Sequence, residues 1–415
     1  MGLEKFKLTY IVGSNTFTYN GEIESVKTIQ LKNQNKLSFS CEGNKLSFHI
    51  DFFLVENLFY WFDIYDNKYI ISNYSEDDWE TSLSNLEEFE KNGYYPLSKT
   101  SYEGKRVLLS FLHYQFSSII QVESSLGLIL GSKGSLSSIL DSFLKEINDF
   151  KNNCDKNKLV LPLSGGIDSR LLFQYFWNSP NLFSYTHGES DSGDVIISDF
   201  ILSKYPVNYH AKFDISNLSI ADIKNNLKAC DYFLPIERAL YPIPDNLFEL
   251  EEFTIISGLY GDIIFSDKND KVFFNNLISQ SLIDVTFDDI DNQIIKSYSE
   301  INISEKLALV LLRCQKMTKQ SLNMSAEQND SFIPFLKNSV LSQVENCDEK
   351  YLYKKIIKST LSKDLRSILH QTTLSTFTYP EIIRFCQKVF YKLIYKKYSK
   401  PYFTKSLVNS LKKRI

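Results

Sequence analysis

One junction limits what this chain can fold into more than any other: Leu159-Val160-Leu161-Pro162-Leu163 runs directly into Ser164-Gly165-Gly166-Ile167-Asp168-Ser169-Arg170. An apolar run of strand length enters two glycines and leaves as an amphipathic helix. Glycines there are expected to turn the backbone with positive φ and to leave N–H groups aimed at one spot. The helix adds its unpaired first-turn donors and the positive end of its dipole, and Ser164 and Ser169 add hydroxyls. Such a strand end is a socket for a polyanion. Asp168 is out of place beside an anion unless a divalent cation lies between them, so a metal-bridged nucleotide is the simplest occupant.

The rest of the chain supplies the setting. Residues 1–135 read as β-rich: Lys7–Val12, Thr16–Tyr19, Lys27–Leu31, Lys36–Cys41 and Lys45–Phe52 alternate apolar with polar side chains between turn-like stretches. Trp61–Tyr65 and Lys68–Ser72 bracket Asp66-Asn67 as a tight hairpin, and Asp78–Lys91 is more helical. Ser135–Asn152 has helical spacing and leads through the polar stretch Lys151–Lys158. Strands at Leu159–Leu163, Leu182–Tyr185, Val207–Phe213 and Phe253–Ser257 then alternate with helices at Asp168–Trp177, Val195–Lys204 and Ile220–Asp231, which predicts parallel βαβ units. Ile303–Thr318, Leu352–Leu361 and Pro380–Tyr398 carry helical stripes. The fold class expected is α/β (α+β overall), with a β-rich domain over 1–135 and a parallel-sheet nucleotide domain with a helical end over 136–415.

Ser164-Gly165-Gly166-Ile167-Asp168-Ser169 resembles the SGGxDS signature of the PP-loop ATP pyrophosphatases, which cleave ATP to AMP and pyrophosphate. Ser257-Gly258-Leu259-Tyr260-Gly261-Asp262-Ile263-Ile264-Phe265 resembles the second signature of asparagine synthetase-type members, usually SGxGxDxLF, with Tyr260 standing at the inner glycine. Asp330-Ser331-Phe332-Ile333-Pro334-Phe335 is similar to their E-x-R-x-P-F segment. The resemblance implies ATP and Mg2+ as cofactors. It implies nucleotide binding by Leu163, Ser164, Gly165, Gly166, Asp168 and Ser169, metal binding by Asp168 and Asp262, and substrate binding by Ser257, Gly258 and Tyr260. Asp168, Asp262 and Asp330 would be the catalytic carboxylates. The β-rich part then corresponds to a degenerate glutaminase-like domain: members that hydrolyse glutamine carry Cys at residue 2, and here it is Gly2. Nitrogen would come from free ammonia, an amine on the substrate, or a partner enzyme.

The activity this implies is an AMP-forming ligase that joins a small-molecule or peptide carboxylate to ammonia or an amine, in surface-polysaccharide or secondary metabolism. A late lysine of the family has no counterpart in Leu369-His370-Gln371-Thr372-Thr373, so a nucleotide- or partner-binding pseudoenzyme is the first alternative. A tRNA-modifying PP-loop enzyme is the second. The 46 basic and 50 acidic residues leave a net charge of −4, without the excess of cations that a phosphate backbone requires, so no nucleic-acid partner is expected. Six scattered cysteines without a CxxC pair, no apolar h-region and no run long enough to span a bilayer make the expected location cytoplasmic. His49, His113, His210 and His370 have no metal-ligand spacing and read as surface or core histidines, while His187 follows a strand and could line the cleft. Asp284, Asp288, Asp289 and Asp291 read as a solvated acidic loop.

Overall fold

The alternating residues of the first third build two antiparallel sheets that share one aromatic interior. The computed structural model describes most of residues 5–368. Outside the described residues lie 1–4, 222–252, 273–286, 312–329, 369–415 and several shorter stretches, including 32–34, 53–57, 75–78 and much of 81–96. The first sheet has the order β3-β2-β1-β8-β7-β9, from Glu22–Glu24, Phe17–Tyr19, Lys7–Ile11, Lys68–Ser72, Phe59–Asp63 and Arg106–Val107. The second runs β11-β10-β6-β5-β4, from Ile120–Ser124, Leu112–Phe116, Lys45–Ile50, Lys36–Glu42 and Val26–Gln30. Period-two alternation puts Phe39, Phe48, Tyr114 and Phe116 of the second sheet on its buried face. They meet the first sheet ring to ring: Phe17 with Phe39 at 6.5 Å, Tyr60 with Phe116 at 5.6 Å and Tyr69 with Phe116 at 4.9 Å between centroids. The hairpin from β7 to β8 closes at Asp63 opposite Lys68, so its loop is wider than the tight turn expected at Asp66-Asn67.

A third sheet is parallel throughout, with the order β14-β13-β12-β15-β18 from Tyr209–Phe213, Leu182–His187, Lys158–Pro162, Phe253–Ile256 and Asp330–Phe332. From β12 the chain winds outward through β13 and β14, then returns to place β15 and β18 on the other side. The direction of winding therefore reverses between β12 and β15. Connections leave adjacent strands in opposite directions there and open a crevice at their carboxyl ends. The mixed architecture of antiparallel sheets, a parallel sheet and helices is the fold class the sequence predicts. A short pair, β16 (Lys271–Val272) with β17 (Ile303–Ser304), completes the strands named here.

Helices cover the parallel sheet. The first, α1 (Leu136–Asn153), opens with a reciprocal cap in which the Ser135 hydroxyl accepts the Ser138 N–H at 3.2 Å and Ser138 Oγ accepts the Ser135 N–H at 2.8 Å. Its buried stripe presents Phe143 to Phe335 at 5.2 Å and Phe150 to Phe332, stacked at 4.0 Å. Each such ring, fully buried, contributes about 2–3 kcal/mol. Next come α2 (Ile167–Phe176), α3 (Gly193–Lys204), the single turn α4 (Gly261–Ile264), α5 (Asp289–Ser299), α6 (Glu305–Leu309), α7 (Asn338–Glu345), α8 (Leu352–Thr360) and α9 (Lys363–Ser367). The stripe expected as one helix over Ile303–Thr318 begins instead as β17, because Ser304 caps α6 by accepting the Leu307 N–H at 3.2 Å. The helix expected at Ile220–Asp231 falls almost wholly outside the described residues. That at Pro380–Tyr398 falls outside them entirely.

Of the acidic stretch expected to be a solvated loop, Asp284 lies outside the described residues, and Asp288, Asp289 and Asp291 form a helix start with a buried anchor. Asp288 caps α5, its Oδ1 accepting from the N–H groups of Ile290 and Asp291 at 3.1 and 3.0 Å. Asp291 is fully buried: its Oδ1 accepts the Ser98 hydroxyl at 2.6 Å, and Arg106 pairs with both Asp288 and Asp291. Beside it, α5 is fastened to β11 by Gln293, which accepts the Val122 N–H at 3.1 Å and donates to Ile120 O at 3.1 Å. Replacing Asp291 by Ala strips Ser98 of its acceptor and the half-buried Arg106 of one of its two carboxylates, and is expected to cost about 3 kcal/mol in denaturant unfolding. Asp289→Ala, without these partners, is expected to cost less than about 0.5 kcal/mol.

Candidate nucleotide site at the reversal of the parallel sheet

The two glycine-containing segments emerge from β12 and β15, the adjacent strands at which the winding reverses, and they meet there. Leu163 continues β12 by donating its N–H to Tyr185 O at 2.8 Å, and the Thr186 hydroxyl donates to Leu163 O at 2.6 Å. The turn that follows is not built on positive φ as expected: Gly166, the cap of α2, is extended at φ −75° and ψ 161°, and Gly165 is not among the positive-φ glycines either. The loop folds on its serines instead. The Ser164 and Ser169 hydroxyls lie 3.0 Å apart, Ser164 N–H donates to Ser169 Oγ at 3.2 Å, and Gly166 N–H donates to Ser164 Oγ at 3.1 Å. Gly166 has no side chain to cap α2, so the helix's first-turn donors have no side-chain acceptor.

Glycine is needed instead in the second segment, for space. A Cβ on Gly258 would stand 2.9 Å from the Asp168 carbonyl carbon, and one on Gly261 would stand 2.6 Å from Asp168 Oδ1. Both glycines let the loop after β15 lie directly on the first turn of α2. Tyr260, where the resembling pattern has glycine, adopts the left-handed conformation at φ 67°, which costs a residue with a Cβ about 1–2 kcal/mol. Ser257 is buried, with its hydroxyl accepting the Leu259 N–H at 3.2 Å, so it braces the loop from inside.

This approach brings Asp168 and Asp262 together. Asp262 N–H donates to Asp168 Oδ2 at 3.1 Å, and the Tyr353 hydroxyl on α8 donates to Asp168 Oδ1 at 2.8 Å. Burial and then the negative charge of Asp262 push the Asp168 carboxyl up to about 7, against the opposing pull of those two hydrogen bonds. The Asp262 side chain is exposed. Among the described residues no three His, Cys, Asp or Glu side chains converge as a metal cage. The pair nevertheless suits Mg2+, which takes one or two carboxylates and completes its shell with water and substrate phosphates. Each carboxylate oxygen of Asp168 also keeps a second lone pair beyond its present bond. Asp330 stands apart along the backbone: it pairs with Thr254 at the start of β18, about 7 Å short of the carboxyl edge from which Ser257 leaves.

Two charged residues complete the loop. Asp194, buried in the first turn of α3, accepts the Gly165 N–H at 2.5 Å. Arg170, fully buried, donates to Gly165 O at 2.6 Å, to Ile368 O at 2.9 Å and to Leu365 O at 3.4 Å. One peptide group on either side of Gly165 is thus held by a side chain of opposite sign. Burial raises Asp194 to about 6, moderated by the Gly165 N–H and Arg170, and lowers Arg170 to about 10, still charged at neutral pH. The visible signal for Arg170 is a charge set against the apolar run Leu171-Leu172-Phe173. Tyr353 gives no signal, since only the fold brings α8 to α2.

No known protein family matches the chain, and no curated protein does. Among solved structures the chain is similar to the U34-tRNA thiolase NcsA from Methanococcus maripaludis with its 4Fe-4S cluster, at 12% identity. That match covers 66% of this chain and 78% of the other, with a TM-score of 0.25. A score of 0.25 leaves too little shared geometry for one chain to inform the other. Among the described residues no helix is long and apolar enough to cross a membrane.

Two outcomes follow for this site. Asp194 is raised in the folded chain, so the folded state binds its proton more tightly than the unfolded state between about pH 4 and 6. Its contribution to stability is therefore present at the acid end and lost as pH rises through that window. Unfolding of wild type and Asp194→Asn across pH 4–7 should show that downward slope in the wild type and a flatter one in the variant. Gly261→Ala should separate the two loops, and with them the Asp262 N–H from Asp168. Any magnesium-dependent nucleotide binding should fall at least tenfold by calorimetry.

Proposed function

We propose that the chain is an ATP-using enzyme of the PP-loop type, with the nucleotide's phosphates at the Ser164–Ser169 turn and the first turn of α2. One observation carries this reading. The strand–glycine–helix turn, and Asp168 with the Asp262 N–H on its carboxylate, lie together where the winding of the parallel sheet reverses. First-turn N–H groups without a side-chain acceptor supply donors for phosphate oxygens, and the Ser164 and Ser169 hydroxyls can turn from one another toward them. Mg2+ held by Asp168 and Asp262 would offset the negative charge gathered on departing pyrophosphate. Tyr353 and the Asp262 N–H fix the orientation of the Asp168 carboxylate.

Resemblance of the two segments to asparagine synthetase-type enzymes supports the finer reading of an amide-forming ligase. A carboxylate oxygen attacks the α-phosphorus, and the α–β bond breaks to release pyrophosphate. Ammonia or an amine then attacks the acyl carbon, and AMP leaves. Ser257, Gly258 and Tyr260 belong to the loop that would border the carboxylate. A second reading, a nucleotide- or partner-binding chain without turnover, is favoured by the late lysine of the resembling family that Leu369-His370-Gln371-Thr372-Thr373 lacks.

The test is thermal unfolding with and without Mg-ATP, followed by pyrophosphate release with a panel of carboxylic acids and with tRNA. Nucleotide at 100 times its Kd adds roughly 2.7 kcal/mol and should raise the midpoint by a few degrees in the wild type but not in Asp168→Ala. Pyrophosphate release with an acid and an amine present supports the ligase, and release only with tRNA supports a tRNA-modifying enzyme. A shift without release supports the binding protein. No shift at millimolar Mg-ATP would overturn the nucleotide site itself.

A further inference from the structure

We propose that His49 and His113 are a chelating pair for a divalent transition-metal ion on the outer face of the second antiparallel sheet, a site separate from the crevice of the parallel sheet. The two residues are far apart in sequence, but the register of β10 on β6 pairs them directly. Alternation sends their neighbours Phe48, Ile50, Leu112 and Tyr114 into the core and leaves the two imidazoles side by side on the opposite face. Their rings lie parallel, 3.6 Å between centroids and 15° between planes. The next residue along the same row is a carboxylate, Glu123 of β11, which is paired with His113.

Two features of the pair point to a cation. The first is an orphan atom: His113 Nε2 is closed off from solvent and has no hydrogen-bond partner. A buried ring nitrogen in that condition is costly unless something other than water satisfies it. The second is spacing. Metal–nitrogen bonds of about 2.0–2.1 Å at a tetrahedral ion set the two nitrogens about 3.3 Å apart. The ring centroids are 3.6 Å apart, but the rings stack and their lone pairs lie in near-parallel planes, so both side chains must rotate on the paired strands to turn their nitrogens toward a common ion.

Among the described residues no group of three ligating side chains is already assembled. The chain therefore supplies two nitrogens, water fills the remaining positions, and the exposed Glu123 is placed to rotate in as a third ligand. Imidazole ligands without a carboxylate cage select Cu2+, Ni2+ and Zn2+ over Mg2+ and Ca2+.

The experiment is titration of the full chain, free of any histidine tag, with Cu2+ followed by electron paramagnetic resonance, and with Zn2+ followed by calorimetry. One equivalent should bind, with coupling to two nitrogens in the copper spectrum. His49→Asn and His113→Asn should each lose one nitrogen and weaken binding at least tenfold. His210→Asn should change neither, since His210 is held by the Ser184 hydroxyl at 2.7 Å on another sheet. His49 is exposed, so His49→Asn should keep the wild-type unfolding midpoint without metal, which separates loss of the ion from loss of the fold. Binding undiminished in both variants, or no binding at millimolar metal, would overturn the proposal.

Discussion

The loop after β15 rests on the first turn of α2 with no room for a methyl group between them, and the crevice depends on that contact. Gly258 meets the backbone of Asp168 and Ser169, and Gly261 meets the Asp168 carboxylate itself. Two acidic side chains are held near one another because the backbone N–H of one of them, Asp262, bonds the carboxyl of the other. The pull of that dipole and the push of burial and the Asp262 charge, which raise Asp168, thus act at the same place. The neighbouring elements follow from this. Phe335 packs against Phe143 and Phe265 just behind Gly261, and Tyr353 reaches Asp168 from α8.

A second constraint is electrostatic and fixes shape more than it adds stability. Taking a guanidinium and a carboxylate out of water costs several kcal/mol each, and pairing regains that only when the remaining donors and acceptors are satisfied. Arg170 directs Nη1 and Nη2 at three backbone carbonyls, and Asp194 spends an oxygen on one backbone N–H. The outcome is a single conformation for Gly165, a residue that would otherwise have the widest choice of φ and ψ in the loop. An apolar pair of similar volume could fill the space, but it could not choose the orientation of those peptide groups.

The parallel sheet, its strand–helix alternation and the anion-type turn could be read from the residues because each depends on short-range pattern: apolar runs, glycine pairs and helical spacing. Asp168 and Asp262 could be read as partners because each follows a glycine-containing strand end. The reason for the glycines was less visible. Sequence suggested freedom of φ at Gly165 and Gly166, whereas close approach at Gly258 and Gly261 is what requires a missing side chain, and the one left-handed residue of the second loop is Tyr260. Long-range partners left no local trace. Asp291 looked like one more solvated acid until α5 carried it to Ser98 and Arg106. His49 and His113 looked like unrelated histidines until strand register joined them.

The Arg170 bonds to Leu365 and Ile368 span 195 and 198 positions of the chain. A ribosome adding roughly 5–20 residues per second needs about 10–40 s to supply that much polypeptide. During that interval the carbonyls of Leu365 and Ile368 are still unmade. The turn therefore reaches its final form only once α9 has been synthesised, and until then Nη1 of Arg170 does without those two acceptors.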